Sequence, residues 1–271
     1  MRAVVVGASS GLGRCIALGL AQRGADVALL ARRHDRLVDV AKEIGSGAIA
    51  IACDVTDQDS CRAAVEEAAT GLGGIDALVY APGIGPLMRI AETDVETWRQ
   101  AFDTNVIGAS LVTAAAIAHL EASDGAAAYL SSVSASLTPP WPGLGAYAVT
   151  KAALDKLVEA WQGEHPRVGF TRVIVGDCAG GEGHAVTEFP AKWEGGLAAD
   201  PGHGVDGPGL PERVADGRRG AGPGGRHRPA LRRQRQHPLG HGHPPPLELT
   251  PTPELVAVVP AYRQQLRQLR G

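Results

Sequence analysis

The four cysteines, Cys15, Cys53, Cys61 and Cys178, form no Cys-x-x-Cys pair. Each falls in or beside an apolar segment, so buried free thiols in a reducing compartment are expected. Charge of one sign is also lacking. A net charge of −3 and a pI near 6.3 give no global sign of nucleic-acid or membrane binding. No apolar run approaches the roughly 18 residues of a membrane span. An apolar strand that starts at residue 2 leaves no room for a signal peptide. A cytoplasmic location and no membrane partner are the expectation. With 271 residues, the chain can bury a substantial core in one domain.

Aromatic residues are missing from a long stretch: no Phe, Tyr or Trp occurs between Trp193 and Tyr262. Residues 201–246 hold 11 Gly and 9 Pro but only five Val, Leu, Ile, Met or Phe, too little apolar surface to offset the entropy of ordering the segment. It carries 8 Arg against 3 acidic residues. The arginines have no interleaved aromatics to stack on bases, so a nucleic-acid partner is not expected. His237, His241 and His243 lie among prolines with no acidic or cysteine partner nearby, so no metal site is expected. Arginine, glycine, proline and histidine without periodicity are what a shifted reading frame would produce; an uninterrupted coding frame with ordinary codon choice would count against that. The chain therefore divides into residues 1–190, an irregular Gly/Pro/Arg-rich segment over 191–250, and a C-terminal helix over 251–271, where amphipathic spacing returns.

Residues 1–190 alternate short apolar runs with helical periodicity. Strands are expected at 2–6, 26–30, 48–52, 77–80, 126–131 and 169–175. Helices are expected over about 18 residues after the first strand, at 35–44, at 57–70 opened by a Thr56/Asp59 capping box, at 94–121 opened by Thr93/Glu96, and around Tyr147. Such alternation predicts an α/β fold, a doubly wound parallel sheet of six strands with helices on both faces.

Three motifs carry chemistry. Gly7-Ala-Ser9-Ser10-Gly11-Leu12-Gly13 follows the first strand and opens the first helix. Its glycines allow a tight turn and close backbone approach, and the helix N-terminus offers N–H groups to a pyrophosphate. The second strand ends in Ala31-Arg32-Arg33, where an acid would bind a ribose 2′-hydroxyl and arginine suits a 2′-phosphate. NADP(H) is thus favoured, with NAD(H) as the alternative. Asp54, beside Val55, is placed to accept from an adenine amino group or to act as an ordinary turn aspartate. Tyr147 and Lys151, four apart on a helix, share one face. A neighbouring ammonium lowers a phenol's pKa, which suits general acid–base work.

In their order and approximate separations, Gly7-x3-Gly11-x-Gly13, Asp54, Asn105, Ser131-Ser132 and Tyr147-x3-Lys151 resemble the short-chain dehydrogenase/reductase family. The resemblance covers roughly residues 1–190. It implies a Rossmann-type sheet and hydride transfer between a nicotinamide ring and a small ketone or alcohol. Tyr147 would be the acid or base, Lys151 would lower its pKa and bind the nicotinamide ribose, and a serine would polarise the carbonyl oxygen. Asn105 would hold a water in a relay to Lys151. The family's spacing to the tyrosine points to Ser134, whereas strand register points to Ser132, which we favour. A homodimer through helices 94–121 and 147–163 is also implied.

Three departures from the family pattern stand out. Tyr80-Ala81-Pro82-Gly83 replaces the usual Asn-Asn-Ala-Gly, so Gly83 keeps room for the cofactor while the asparagine contacts are lost. Val175-Gly-Asp-Cys178 replaces a Pro-Gly, with Thr187 a loose counterpart of the family's threonine. The seventh strand has no apolar candidate in 201–246. A rival expectation is therefore a dinucleotide-binding protein without turnover.

Overall fold

The computed structural model describes residues 1–45, 47–176 and Phe189. Expectations for the 191–250 segment, the 251–271 helix, Cys178, Thr187, the three histidines and the absent seventh strand lie outside the described residues.

Six parallel strands form one sheet: β1 (Arg2–Val6), β2 (Asp26–Ala31), β3 (Ala48–Ala52), β4 (Ala77–Tyr80), β5 (Ala126–Ser132) and β6 (Gly169–Val175). Their order is β3-β2-β1-β4-β5-β6, a doubly wound arrangement of the six strands that the alternation predicted. Helices α1 (Gly11–Gln22) and α2 (His34–Ile44) pack against Val5, Leu29 and Val27 on one face. On the other, α3 (Gln58–Leu72), α5 (Gly108–Ala122) and α6 (Gly145–Glu164) pack against Val4, Val6, Tyr80 and Tyr129. Strand β1 sends Ala3 and Val5 to one face and Val4 and Val6 to the other, and all four are fully buried. This is why its sequence reads as an unbroken apolar run rather than an alternation. Each fully buried Val or Leu contributes about 1.5–3 kcal/mol.

The strand expectations agree to within a residue, but both capping boxes are displaced. Asp57, not Thr56, caps α3 by accepting from Ser60 N at 2.7 Å. Asp94, not Thr93, caps α4 (Val95–Phe102) by accepting from Thr97 N at 2.8 Å. Both threonines are engaged elsewhere: the Thr56 hydroxyl donates to Asp54 Oδ1 at 2.8 Å, and the Thr93 hydroxyl to Arg89 O at 2.9 Å. Aspartate is a strong cap, and each helix starts one residue later than the threonine boxes require.

The expected 94–121 helix is three pieces, α4, a π-helical turn over Asp103–Ile107, and α5. The stretch Val95–Ala122 is long and apolar enough by composition to cross a membrane, contrary to expectation. Its length comes from three helical segments running on without a break. Ala109, Val112, Ala116 and Leu120 are fully buried in the protein core. The turn is held by Tyr80, whose hydroxyl donates to Thr104 O at 2.5 Å. Gly108 follows at a close approach, where an added Cβ would stand 2.7 Å from the Tyr80 hydroxyl and 2.8 Å from Val55 O.

Candidate active site

The sheet reverses its winding between β1 and β4, and loops diverge there at the carboxyl ends of the strands. A crevice at that position is where open α/β sheets bind ligands. The loop after β1 forms its floor. Gly7 has φ 78°, which glycine adopts without strain, and its N–H donates to Leu30 O at 2.7 Å. Gly13 lies so close beneath that a Cβ would stand 2.3 Å from Gly7 O. Gly11 is buried and Leu12 half-buried in the first turn of α1. Ser10 occupies the N-cap position but makes no side-chain cap bond, and the first turn holds no acid. The N–H groups of a helix start without a side-chain cap suit a pyrophosphate, so the residues present fit a dinucleotide.

Arg33 crosses from the end of β2 to this loop, donating to Ser9 Oγ at 2.9 Å and Ser10 Oγ at 3.1 Å. Arg32 is exposed. Asp54 accepts from Thr56 N at 3.0 Å and from its hydroxyl. The Thr56 backbone N–H, its hydroxyl and the charge of Arg32 hold the Asp54 carboxyl below the usual range. Both bonds end on Oδ1 and give Asp54 the role of a turn aspartate. The Val55 side chain is buried in the core cluster. Ala81 N donates to Val6 O at 3.1 Å, tying the loop after β4 to β1.

Tyr147, Lys151, Ser132 and Asn105 come together at the same end of the sheet. Lys151 is 3% exposed, and its Nζ donates to Leu130 O at 2.6 Å. Burial lowers its pKa from 10.5 to about 8, with Asp155 acting in the opposite direction. Its Nζ lies 5.6 Å from the centre of the Tyr147 ring. A Cβ on Gly83 would stand 3.4 Å from that Nζ and 3.7 Å from Asn105 Oδ1, which sets the three residues side by side. The Tyr147 phenol departs from expectation. Burial pushes its pKa up, and the neighbouring Ser132 side chain works the other way. Desolvation dominates in the free protein because phenolate, like any anion, is disfavoured away from water.

Of the two candidate serines, Ser132 is the one whose side chain acts on the Tyr147 phenol. Ser134 acts as its support, with the two hydroxyl oxygens 2.9 Å apart and Ser134 N donating to Ser132 Oγ at 3.2 Å. Asn105 is fully buried in the π-turn. Its Oδ1 accepts from Ile84 N at 2.8 Å, while its Nδ2 donates to Ile84 O at 2.9 Å and Thr150 Oγ1 at 2.8 Å. The carboxamide clamps the loop after β4. Two neighbours had no signal in the sequence. The Phe189 ring stands edge-on to Tyr147 with centroids 4.8 Å apart. Thr150 was passed over inside Tyr147-x3-Lys151.

The sequence model of the short chain dehydrogenases matches residues 1–183. The chain belongs to the short-chain dehydrogenase/reductase family. It is 38% identical over 169 residues to a short chain dehydrogenase of Pseudocercospora fijiensis, covering 60% of this chain and 54% of that one. Among solved structures, it resembles an alcohol dehydrogenase of Thermococcus sibiricus complexed with 5-hydroxy-NADP (29% identity, TM-score 0.64, 69% of this chain and 77% of that one). It also resembles a 3-ketoacyl-(acyl-carrier-protein) reductase of Brucella melitensis complexed with NADH (28% identity, TM-score 0.61, 64% and 74%). The chain spans little more than half the length of the curated relatives it matches, 54% and 57% for the first two.

The lysine of this short-chain dehydrogenase makes stability pH-dependent. Between about 8 and 10.5, the folded protein holds Lys151 neutral while the unfolded chain still binds its proton. Stability therefore rises with pH across that window, by up to about 1.4 kcal/mol per pH unit. Relative to Lys151→Met, the parent should gain stability as pH increases from 8 to 10 in urea unfolding. A constant difference between the two proteins would show that the amine titrates normally.

Proposed function

We propose that this short-chain dehydrogenase is an NADP(H)-dependent oxidoreductase acting on a ketone or alcohol with a Ser132-Tyr147-Lys151 site. The carrying observation is the buried Lys151 amine, 5.6 Å from the centre of the Tyr147 ring, with Ser132 at the end of the adjoining strand and a glycine loop suited to a dinucleotide. When bound, the nicotinamide supplies or accepts the hydride at the substrate carbon. In the reducing direction, Tyr147 Oη delivers one proton to the carbonyl oxygen, and the Ser132 hydroxyl donates a hydrogen bond to the same oxygen. Charge that builds on that oxygen is met by donors already held in position. Lys151, when protonated, stabilises the phenolate left after transfer and offers N–H groups to the nicotinamide ribose. Asn105 keeps the loop at Ile84 in place beneath them. The ring of Phe189 and the half-buried Trp141 give the substrate side an apolar character, which suits a hydrophobic ketone.

The preference for NADP(H) rests on two arginines at the end of β2 and on Ala31 where an acid would hold a ribose 2′-hydroxyl. A cytoplasmic location accords with the absence of paired-thiol motifs. A homodimer through helices 94–121 and 147–163 accords with Ile107 and Val149, 46% and 47% exposed on those segments. Sedimentation at micromolar concentration should return twice the chain mass, and a single-chain mass would exclude the dimer.

Tyr147→Phe should lower kcat by about 10²- to 10⁴-fold on any carbonyl the parent reduces. NADPH should still raise the variant's melting temperature nearly as much as the parent's. Retained turnover would remove Tyr147 from the chemistry. A parent that is stabilised by NADPH but reduces no carbonyl would make the chain a binding protein without turnover. Arg32→Ala should weaken NADPH about 10- to 100-fold, as loss of a charge-assisted phosphate contact does. NADH affinity should hardly move, and equal losses for both would refute a 2′-phosphate contact.

A further inference from the structure

Thr150 is fully buried and has two hydrogen-bond partners on different segments. Its hydroxyl donates to Tyr147 O at 2.7 Å, one turn back on α6. A mid-helix threonine commonly does this. The second bond is not local: Asn105 Nδ2, 45 residues away on the π-turn, donates to Thr150 Oγ1 at 2.8 Å. The same carboxamide pairs with both the N–H and the C=O of Ile84, directly after Gly83. One side chain thus joins α6, the π-turn and the loop after β4, the three segments that surround Lys151 Nζ.

The proton inventory gives this joint a direction. A hydroxyl has one proton. Here it goes to the Tyr147 carbonyl, so toward Asn105 the oxygen is an acceptor only. Nδ2 must then face α6, and Oδ1 is left to receive the Ile84 N–H. The reverse orientation would set Oδ1 against the Ile84 carbonyl and the Thr150 oxygen, and would leave the Ile84 N–H unmet.

We propose that Thr150 is a positioning residue: its hydroxyl locks the Asn105 carboxamide in one orientation and through it fixes the Ile84 backbone beside Tyr147 and Lys151. The orienting role stands on the hydrogen bonds alone. Its effect on rate rests on the oxidoreductase reading above.

Two variants and two readouts test this on the full chain. Thr150→Val keeps the shape and removes donor and acceptor, whereas Thr150→Ser keeps the hydroxyl. Hydrogen exchange in the free protein should find the Ile84 amide about tenfold or more faster in Thr150→Val and near the parent in Thr150→Ser. With a carbonyl the parent reduces, and with Tyr147→Phe as the inactive control, Thr150→Val should lose about 10- to 100-fold in kcat while the NADPH KM stays within roughly threefold. Thr150→Ser should recover most of that rate, which a purely space-filling threonine would not require. Unchanged Ile84 exchange in Thr150→Val overturns the proposal, as does equal damage from both variants. If the parent reduces no carbonyl and Thr150→Val still accelerates exchange, the oxidoreductase reading fails and the orienting role of Thr150 stands.

Discussion

Lys151 carries an amine to a place water does not reach, and a 2.6 Å bond to the Leu130 carbonyl receives it there. A buried ammonium is costly unless paired or hydrogen-bonded, so the surroundings must be arranged around it. Leu130 belongs to β5, one residue past the last pairing with β4, and Lys151 is brought to its carbonyl by α6, which packs with Leu154 and Val158 in the core. The loop after β4 lies alongside, with the Gly83 backbone facing the amine. The hydrophobic packing of α6 and the electrostatics of the site are therefore one arrangement. Tyr147, one turn earlier on α6, is carried to the strand ends by the same packing.

Two clamps keep the neighbouring segments still. Arg33 ties β2 to the glycine loop through Ser9 and Ser10. Asn105 ties the π-turn to the loop after β4. The Arg33 clamp works through hydroxyls and leaves the glycine-loop backbone uncovered, which a dinucleotide needs if its phosphates are to approach closely.

Much of this was legible in the sequence, and the residues show why. All six strands were readable because a parallel sheet buried on both faces demands continuous apolar runs such as Ala3–Val6. The Tyr147 and Lys151 pair and the glycine loop follow from spacing, whereas Ser132 was favoured from strand register against a spacing that points to Ser134. The helix caps were missed by one residue, because Thr56 and Thr93 had competing local acceptors that a pattern of residue types does not reveal. The direction of the Tyr147 shift was misjudged because a sequence shows that a lysine is near but not how little water is. Asn105 and Thr150 bond across 45 residues of chain, and no local signal marks such a pair. The π-turn left no trace either, since Asp103–Ile107 reads as ordinary helix.

A π-turn gives a helix one residue more than its length in space needs. Removing a residue anywhere in Asp103–Ile107 would let α4 and α5 fuse into a regular helix, with the ladder of backbone bonds intact. Every side chain on one flank would then rotate by a little over a quarter turn about the axis. Asn105 would swing away from Ile84, and Tyr80 would lose its carbonyl at Thr104. The more regular helix would come at the expense of the site.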